Sequence, residues 1–308
     1  MKRLPIALLM ILLTLLVAAC GAPAASSPTR LPVSTTAPTT APTVAAITTP
    51  TNASTAVATT AVATTAPTVA ASTTLNVFAA ASLTDAFKAI APAFEAAHPG
   101  VKVVYNFAGA QQLAAQIDEG APADVFASAN KKQIDVVIAS SKIISGTAQT
   151  FVRNRLVVIT PKANPAGITS LKDLAKPGLK LIFEAKAVPA GQYSLDFLTK
   201  ASKLPEYTSA YSPTVLANVV SYEDNVRSVL SKIVLGEGDA GIVYTTDAAT
   251  DVEHIGTITI PDELNVIAVY PIAPLAESKV PDLAKAFVTY VLSPEGQQVL
   301  LKYGFLLP

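Results

Sequence analysis

Val77-Phe78-Ala79-Ala80-Ala81-Ser82-Leu83-Thr84-Asp85-Ala86-Phe87 reads as a buried strand that breaks directly into a helix. Val77 to Ala81 is a compact apolar run, and Leu83, Phe87 and Ile90 then recur at helical spacing. Ser82 sits at the joint with Asp85 three residues on, the pattern of an N-cap followed by an acid in the first turn. A helix start carries unpaired backbone N–H groups and a partial positive charge, so a hydroxyl placed there can hold an oxyanion without a cationic side chain. Taken alone, the same pattern also describes a serine that only caps a helix.

Outward from this joint, strand-like and helix-like segments alternate from Leu75 to Pro308. Strands are expected over 75–80, 101–107 and 124–127, with helices to about 97, over 111–119 and over 131–139. Residues 151–160 read as one long apolar strand ended by Pro161. A second set follows: helices over 171–175, 191–202 and 224–235, with strands over 179–183, 219–221 and 240–244. An extended run over 265–272 then precedes two closing helices, 282–292 and one capped by Ser293-Pro294-Glu295 that runs to about Lys302. Such alternation predicts parallel βαβ units. Two long strands bracketing an inserted α/β set predict a chain that crosses twice between two lobes, lobe I over 75–153 and 267–308 and lobe II over 154–266.

The N-terminus carries an address. Lys2 and Arg3 precede an apolar run over 6–17 that is short for a membrane span, so 1–19 reads as a signal peptide. Leu16-Val17-Ala18-Ala19-Cys20-Gly21 resembles the lipobox of bacterial lipoproteins, which implies a lipid on Cys20 and attachment to the outer face of the cytoplasmic membrane. Cys20 is the chain's single cysteine, which excludes an internal disulfide. Residues 20–74 are nearly all Ala, Thr, Pro, Ser and Val and read as an extended tether, about 40 Å r.m.s. if it behaves as a coil. Within it, Asn52-Ala53-Ser54 matches a glycosylation sequon, taken as a chance match in a bacterial lipoprotein.

With 22 basic and 22 acidic side chains and no basic run, nothing points to nucleic acid. Two histidines and no tryptophan leave little for metal or acid–base chemistry. Neither His98, before Pro-Gly, nor His254 has a spaced partner for a metal site or a triad. Arg153 and Arg155 alternate with apolar residues, as on a solvated strand face, and Arg227 follows Glu223 at i+4, the spacing of a helix-surface ion pair.

Five sites place small or hydroxyl residues where a ligand can approach the backbone. They are Ser82, Phe107-Ala108-Gly109-Ala110, Val188-Pro189-Ala190-Gly191, Glu223-Asp224-Asn225-Val226-Arg227 and Gly241-Ile242-Val243-Tyr244. Each alone reads as a cap, a turn, a first-turn proline, an acid-rich helix start or a half-buried tyrosine. Together, four of them would aim N–H groups into one crevice at the mouths of the strands, where open α/β sheets bind ligands.

The stretches 78–83, 120–125, 188–191, 223–227, 241–244 and 302–305 occur in the order found in the molybdate-binding proteins of bacterial ABC importers, and the body resembles that family, within the type II periplasmic binding proteins. The resemblance implies an α/β fold of two βα lobes joined by two crossover strands, closing on a tetrahedral oxyanion. The implied donors are the Ser82 hydroxyl and N–H, the residue at Ala110, the N–H groups of Ala190 and Val226, and the phenol of Tyr244. At Ala110 the family usually has serine, so one hydroxyl is missing, with Gly109 or Gln111 left to compensate. The implied ligand is molybdate or tungstate, with no cofactor and no metal cation. The implied partners are an ABC permease and its ATPase, and the chain is expected to be a monomer. A site of donors alone suits a fully deprotonated dianion, since the proton of hydrogenphosphate would lack an acceptor. The alternatives are a carrier of sulfate or another oxyanion, a serine-dependent hydrolase and, from the tether alone, an adhesion module. No base accompanies Ser82, so the chain is not expected to be an enzyme.

Overall fold

The computed structural model describes residues 72–308, so the expected signal peptide, Cys20 and nearly all of the expected tether lie outside the described residues. The strand that opens the body is β1 (Thr73–Ala80), which runs into α1 (Thr84–Ala97) through a single 3-10 turn, Ala81–Leu83. Thr73 and Thr74, assigned above to the tether, belong to this strand, because they pair in register with Val101 and Lys102 of β2 (Val101–Ala108). Next come α2 (Ala110–Asp118), β3 (Val125–Ala127), α3 (Lys131–Ala139), β4 (Gln149–Asn154) and β5 (Leu156–Pro161). The inserted set is β6 (Leu181–Glu184), α4 (Pro189–Ala201), α5 (Tyr211–Ala217), β7 (Val219–Glu223), α6 (Val226–Val234), β8 (Ala240–Tyr244), α7 (Thr245–Ala248) and β9 (Ile255–Thr259). The chain closes with β10 (Ala268–Pro274), α8 (Pro281–Leu292) and α9 (Pro294–Lys302).

Two five-stranded sheets form, in the orders β2-β1-β3-β10-β4 and β7-β6-β8-β5-β9. Both repeat one pattern: three parallel strands, a fourth antiparallel to them, and a fifth that runs with the first three. Helices cover the sheets, giving a two-lobed α/β fold of the type II periplasmic-binding-protein kind. The central strands are apolar on both faces, as parallel strands under helices must be; β8 is buried at every position.

The single strand expected over 151–160 is two strands. It breaks at Arg155, with β4 in the first sheet and β5 in the second. The chain returns over 260–267, and the extended run beginning at Asn265 pairs only from Ala268. Asn265 is buried because it joins the two crossings: its Oδ1 accepts from Leu156 N–H (3.0 Å) and Val266 N–H (2.9 Å). Its Nδ2 donates to the carbonyls of Leu156 (2.9 Å) and Ile260 (3.2 Å). The free edge of β4 is covered by the C-terminus, where Arg153 and Leu306 exchange backbone hydrogen bonds of 2.8 and 2.9 Å.

Asn265→Ala strands the N–H and C=O of Leu156 between the lobes. The expected loss is about 3 kcal/mol, from two unsatisfied buried groups, read as a lower urea midpoint at unchanged slope.

Candidate functional site

Ser82 occupies the middle of the 3-10 turn, so the N-cap position falls to Ala80 and the serine is not the cap that its spacing predicted. The turn is instead closed by Thr84, whose Oγ1 donates to the Ala81 carbonyl at 2.7 Å. The Ser82 hydroxyl lies 2.8 Å from that of Tyr270.

Three further helix starts face this one. In α2, Gln112 and Leu113 return their N–H groups to the Gly109 carbonyl, and neither bond uses the N–H of Ala110. In α4, Pro189 is the first residue and has no N–H, while Gln192 N–H goes to Val188, leaving Ala190 uncapped. In α6, Asn225 Oδ1 accepts from Arg227 N–H (3.0 Å) and Ser228 N–H (3.1 Å), so the cap passes over Val226. First-turn N–H groups have no acceptor within their own helix. Tyr244, the last residue of β8, is buried, and its phenol has no hydrogen-bond partner among the described residues.

One cavity collects all five predicted residues: Ser82, Ala110, Ala190, Val226 and Tyr244 line it, with Gly109 and Asn225 beside them. Its lining contains no ionisable side chain except the tyrosine. Burial holds the Tyr244 and Tyr270 phenols well above the ordinary tyrosine range, so both keep their protons. The interior admits the centre of a water-sized sphere over about 20 Å³, room for a compact ion and not for a sugar or a peptide. Four helix starts at roughly half a positive charge each offset about two negative charges without any cation. The arrangement suits a small dianion held by neutral donors.

The two lobes meet around this cavity. Gln111 Nε2 donates to the Asp224 carbonyl at 2.9 Å, so the Gln111 side chain reaches across to the other lobe, does not line the cavity, and does not replace the hydroxyl missing at Ala110. Gly109 is required for the same approach, since a Cβ there would stand 2.2 Å from the Asp224 carbonyl oxygen. Arg227 does not pair with Glu223. Its Nη2 reaches Asp85 of α1 at 2.7 Å and its Nε reaches Asp247 of α7 at 2.6 Å, while Glu223 pairs with Lys232 at 2.6 Å. The acid in the first turn of α1 thus ties one lobe to the other. Asp247 is fully buried, and burial pushes its carboxyl up to about 6 against the pull of Arg227.

Arg153 is exposed and Arg155 pairs with Asp262, so neither reaches the cavity. His98 Nδ1 bonds the Phe94 carbonyl at 2.9 Å, and His254 pairs with Asp251. The sequence reading missed Tyr270 and Asn154, which stand behind Ser82 at the crossings. A tyrosine inside an apolar strand is the one local signal, because a buried phenol usually needs a partner. It also missed Glu184, at the end of β6, whose carboxyl oxygens are both buried without partners.

A profile of the family described as bacterial extracellular solute-binding protein matches residues 75–306. The molybdate-binding protein ModA of Mycobacterium tuberculosis is 36% identical over 222 residues, spanning 72% of this chain and 80% of that protein. The solved substrate-binding domain of a putative molybdenum ABC transporter from Clostridium difficile superposes with a TM-score of 0.57 at 28% identity, over 76% of this chain and 99% of that one. The sulfate-binding protein SubI of M. tuberculosis shares the fold, with a TM-score of 0.67 at 20% identity over 76% of this chain and 86% of that one.

Burial holds Glu184 well above the ordinary glutamate value of 4.5, so the folded chain keeps a proton that the unfolded chain releases. Its stabilising contribution is whole below that value and declines as pH rises above it. Glu184→Gln mimics the neutral acid, so the melting-point difference between variant and wild type is expected to grow in the variant's favour from pH 5 to pH 8. A difference that is flat with pH would show Glu184 to be ionised in the fold.

Proposed function

We propose that this chain, which belongs to the bacterial extracellular solute-binding proteins, captures molybdate or tungstate outside the membrane and delivers it to an ABC permease and its ATPase. The observation that carries this reading is the cavity itself, where the starts of α2, α4 and α6, the 3-10 turn of Ser82 and one unpaired phenol come together from two lobes. In this reading Ser82 and Ala110 supply the first lobe's donors, and Ala190, Val226 and Tyr244 the second's. An anion that bridges both sets binds the closed arrangement better than the open one, and that difference drives closure. Hinge bending then takes place at the two crossings. The relatives named for molybdate and molybdenum support the choice of anion.

No protein group in this account performs covalent chemistry. The donors orient and desolvate the anion, and release follows when the lobes part. Hydrogenphosphate is disfavoured because its proton meets no carboxylate in the cavity lining. Molybdate is separated from sulfate by size, through the distance at which the two donor sets meet. The lipobox-like stretch ending at Cys20 supports lipid attachment at the outer face of the cytoplasmic membrane, with 20–72 as the tether and the chain acting as a monomer.

A calorimetric and thermal-shift panel of molybdate, tungstate, sulfate and phosphate tests the reading. A ligand at 100 times its Kd adds about 2.7 kcal/mol of stability, and the absence of any shift with millimolar molybdate or tungstate refutes the assignment. Ser82→Ala is expected to weaken molybdate binding by about 1–3 kcal/mol with the fold retained. Cys20→Ser is expected to move the protein from the membrane pellet to the soluble extracytoplasmic fraction; unchanged membrane retention would refute the anchor.

A further inference from the structure

Behind Ser82 runs a hydrogen-bond chain whose first link, the Asn154 amide, is oriented by a backbone group. Arg155 N–H, which can only donate, gives its proton to Asn154 Oδ1 at 2.9 Å, and Thr245 Oγ1 adds a second donor to the same oxygen at 3.2 Å. This sets the orientation of the Asn154 amide. Asn154 Nδ2 therefore faces two oxygens, Thr246 Oγ1 at 2.8 Å and, at the longer distance of 3.5 Å, the phenol of Tyr270. With a donor on that side, the Tyr270 proton is directed to Ser82 Oγ, 2.8 Å away. Asn154 and Tyr270 are both buried, and no other partner among the described residues competes for Ser82 Oγ. Tyr244 stands edge-on to Tyr270, ring centroids 5.7 Å apart, without a hydrogen bond of ordinary geometry between the phenols.

The consequence falls on the cavity. Once Ser82 Oγ accepts from Tyr270, one of its two lone pairs is taken, and the serine's own proton has no acceptor among the described residues outside the cavity. We propose that Tyr270 is a specificity-determining residue that donates to Ser82 and thereby sets the Ser82 hydroxyl as a donor toward bound anion, discriminating against oxyanions that carry a proton. The proposal rests on the oxyanion reading above and adds to it the origin of the site's polarity. A serine hydroxyl left alone rotates, and can accept the proton of hydrogenphosphate as readily as it donates to molybdate. Tyr270 takes one of the two lone pairs and narrows that freedom from the face opposite the ligand. Asn154 acts through Tyr270 as a positioning residue, and both lie at the crossings, so this control is built into the hinge.

The test measures molybdate and hydrogenphosphate affinities by calorimetry at mildly alkaline pH, where phosphate keeps one proton. Wild type, Tyr270→Phe, Ser82→Ala and the double variant are compared. Tyr270→Phe preserves the ring and is expected to lower the molybdate-to-hydrogenphosphate affinity ratio by about tenfold. In the Ser82→Ala background the same change should move the ratio by less than about twofold, since the hydroxyl being set is gone. Asn154→Asp replaces the donor facing Tyr270 by an acceptor. It is expected to turn the Tyr270 proton away from Ser82 and to move the ratio in the same direction, which keeps the test open if Tyr270→Phe does not fold. An unchanged ratio in Tyr270→Phe, or an equal fall with and without Ser82, overturns the proposal. If the wild type binds sulfate and not molybdate, the anion assigned above fails while the sulfate-to-hydrogenphosphate ratio carries the same test. A wild type that binds neither dianion overturns both.

Discussion

Every helix leaves its first N–H groups without acceptors, and a protein normally answers them with caps or water. Here four such starts are pointed at one another across a gap too small for bulk water. Each lobe alone can leave its donors hydrated. When the lobes close, partial positive charges converge, and an anion between them turns that repulsion into attraction. The sparse capping seen at these helices follows from this constraint. Asn225 satisfies two N–H groups of α6 and leaves the one that faces the gap, and proline removes the N–H that would point elsewhere in α4.

Charge is kept near this gap but out of it. Arg227 follows Val226 directly, yet its guanidinium is drawn away by Asp85 and Asp247. An arginine in the cavity would attract any anion, protonated or not, and its long side chain would carry more conformational freedom than a backbone N–H. Backbone donors at helix starts are rigid, and their reach is set by the packing of whole elements. That makes discrimination by ion size possible, because the donor separation follows from lobe geometry at contacts such as Gln111 with Asp224.

The sequence made the βα alternation legible, since apolar periodicity is local and each helix-forming segment carries its own pattern. The five site residues were legible as small or hydroxyl residues at strand and helix junctions, and the cavity brings them together. What escaped depended on partners distant along the chain. Residues 151–160 look like one strand because nothing in their composition marks Arg155 as the point where pairing passes from Tyr270 and its neighbours to β8 and β9. Arg227 has a plausible partner four residues before it and takes two others, one of them 142 residues away. Ser82 has the spacing of a cap, but a 3-10 turn ahead of α1 moves it inward by two positions. The sequence reading placed no element between 202 and 219, where α5 forms with Pro213 in its first turn, a position that tolerates proline.

The strand order also bears on how such a chain comes into being. β10 lies between β3 and β4, so the first sheet lacks a middle strand until residue 274 is available. The second sheet uses only residues up to 259 and is complete earlier. During N-to-C synthesis and threading across a membrane, the inserted lobe can therefore assemble while the flanking one is still open. Chains fold by such units in the order in which they emerge. The lobe that holds β1 is thus the last to become rigid, and the cavity can exist only once nearly the whole polypeptide has reached the far side.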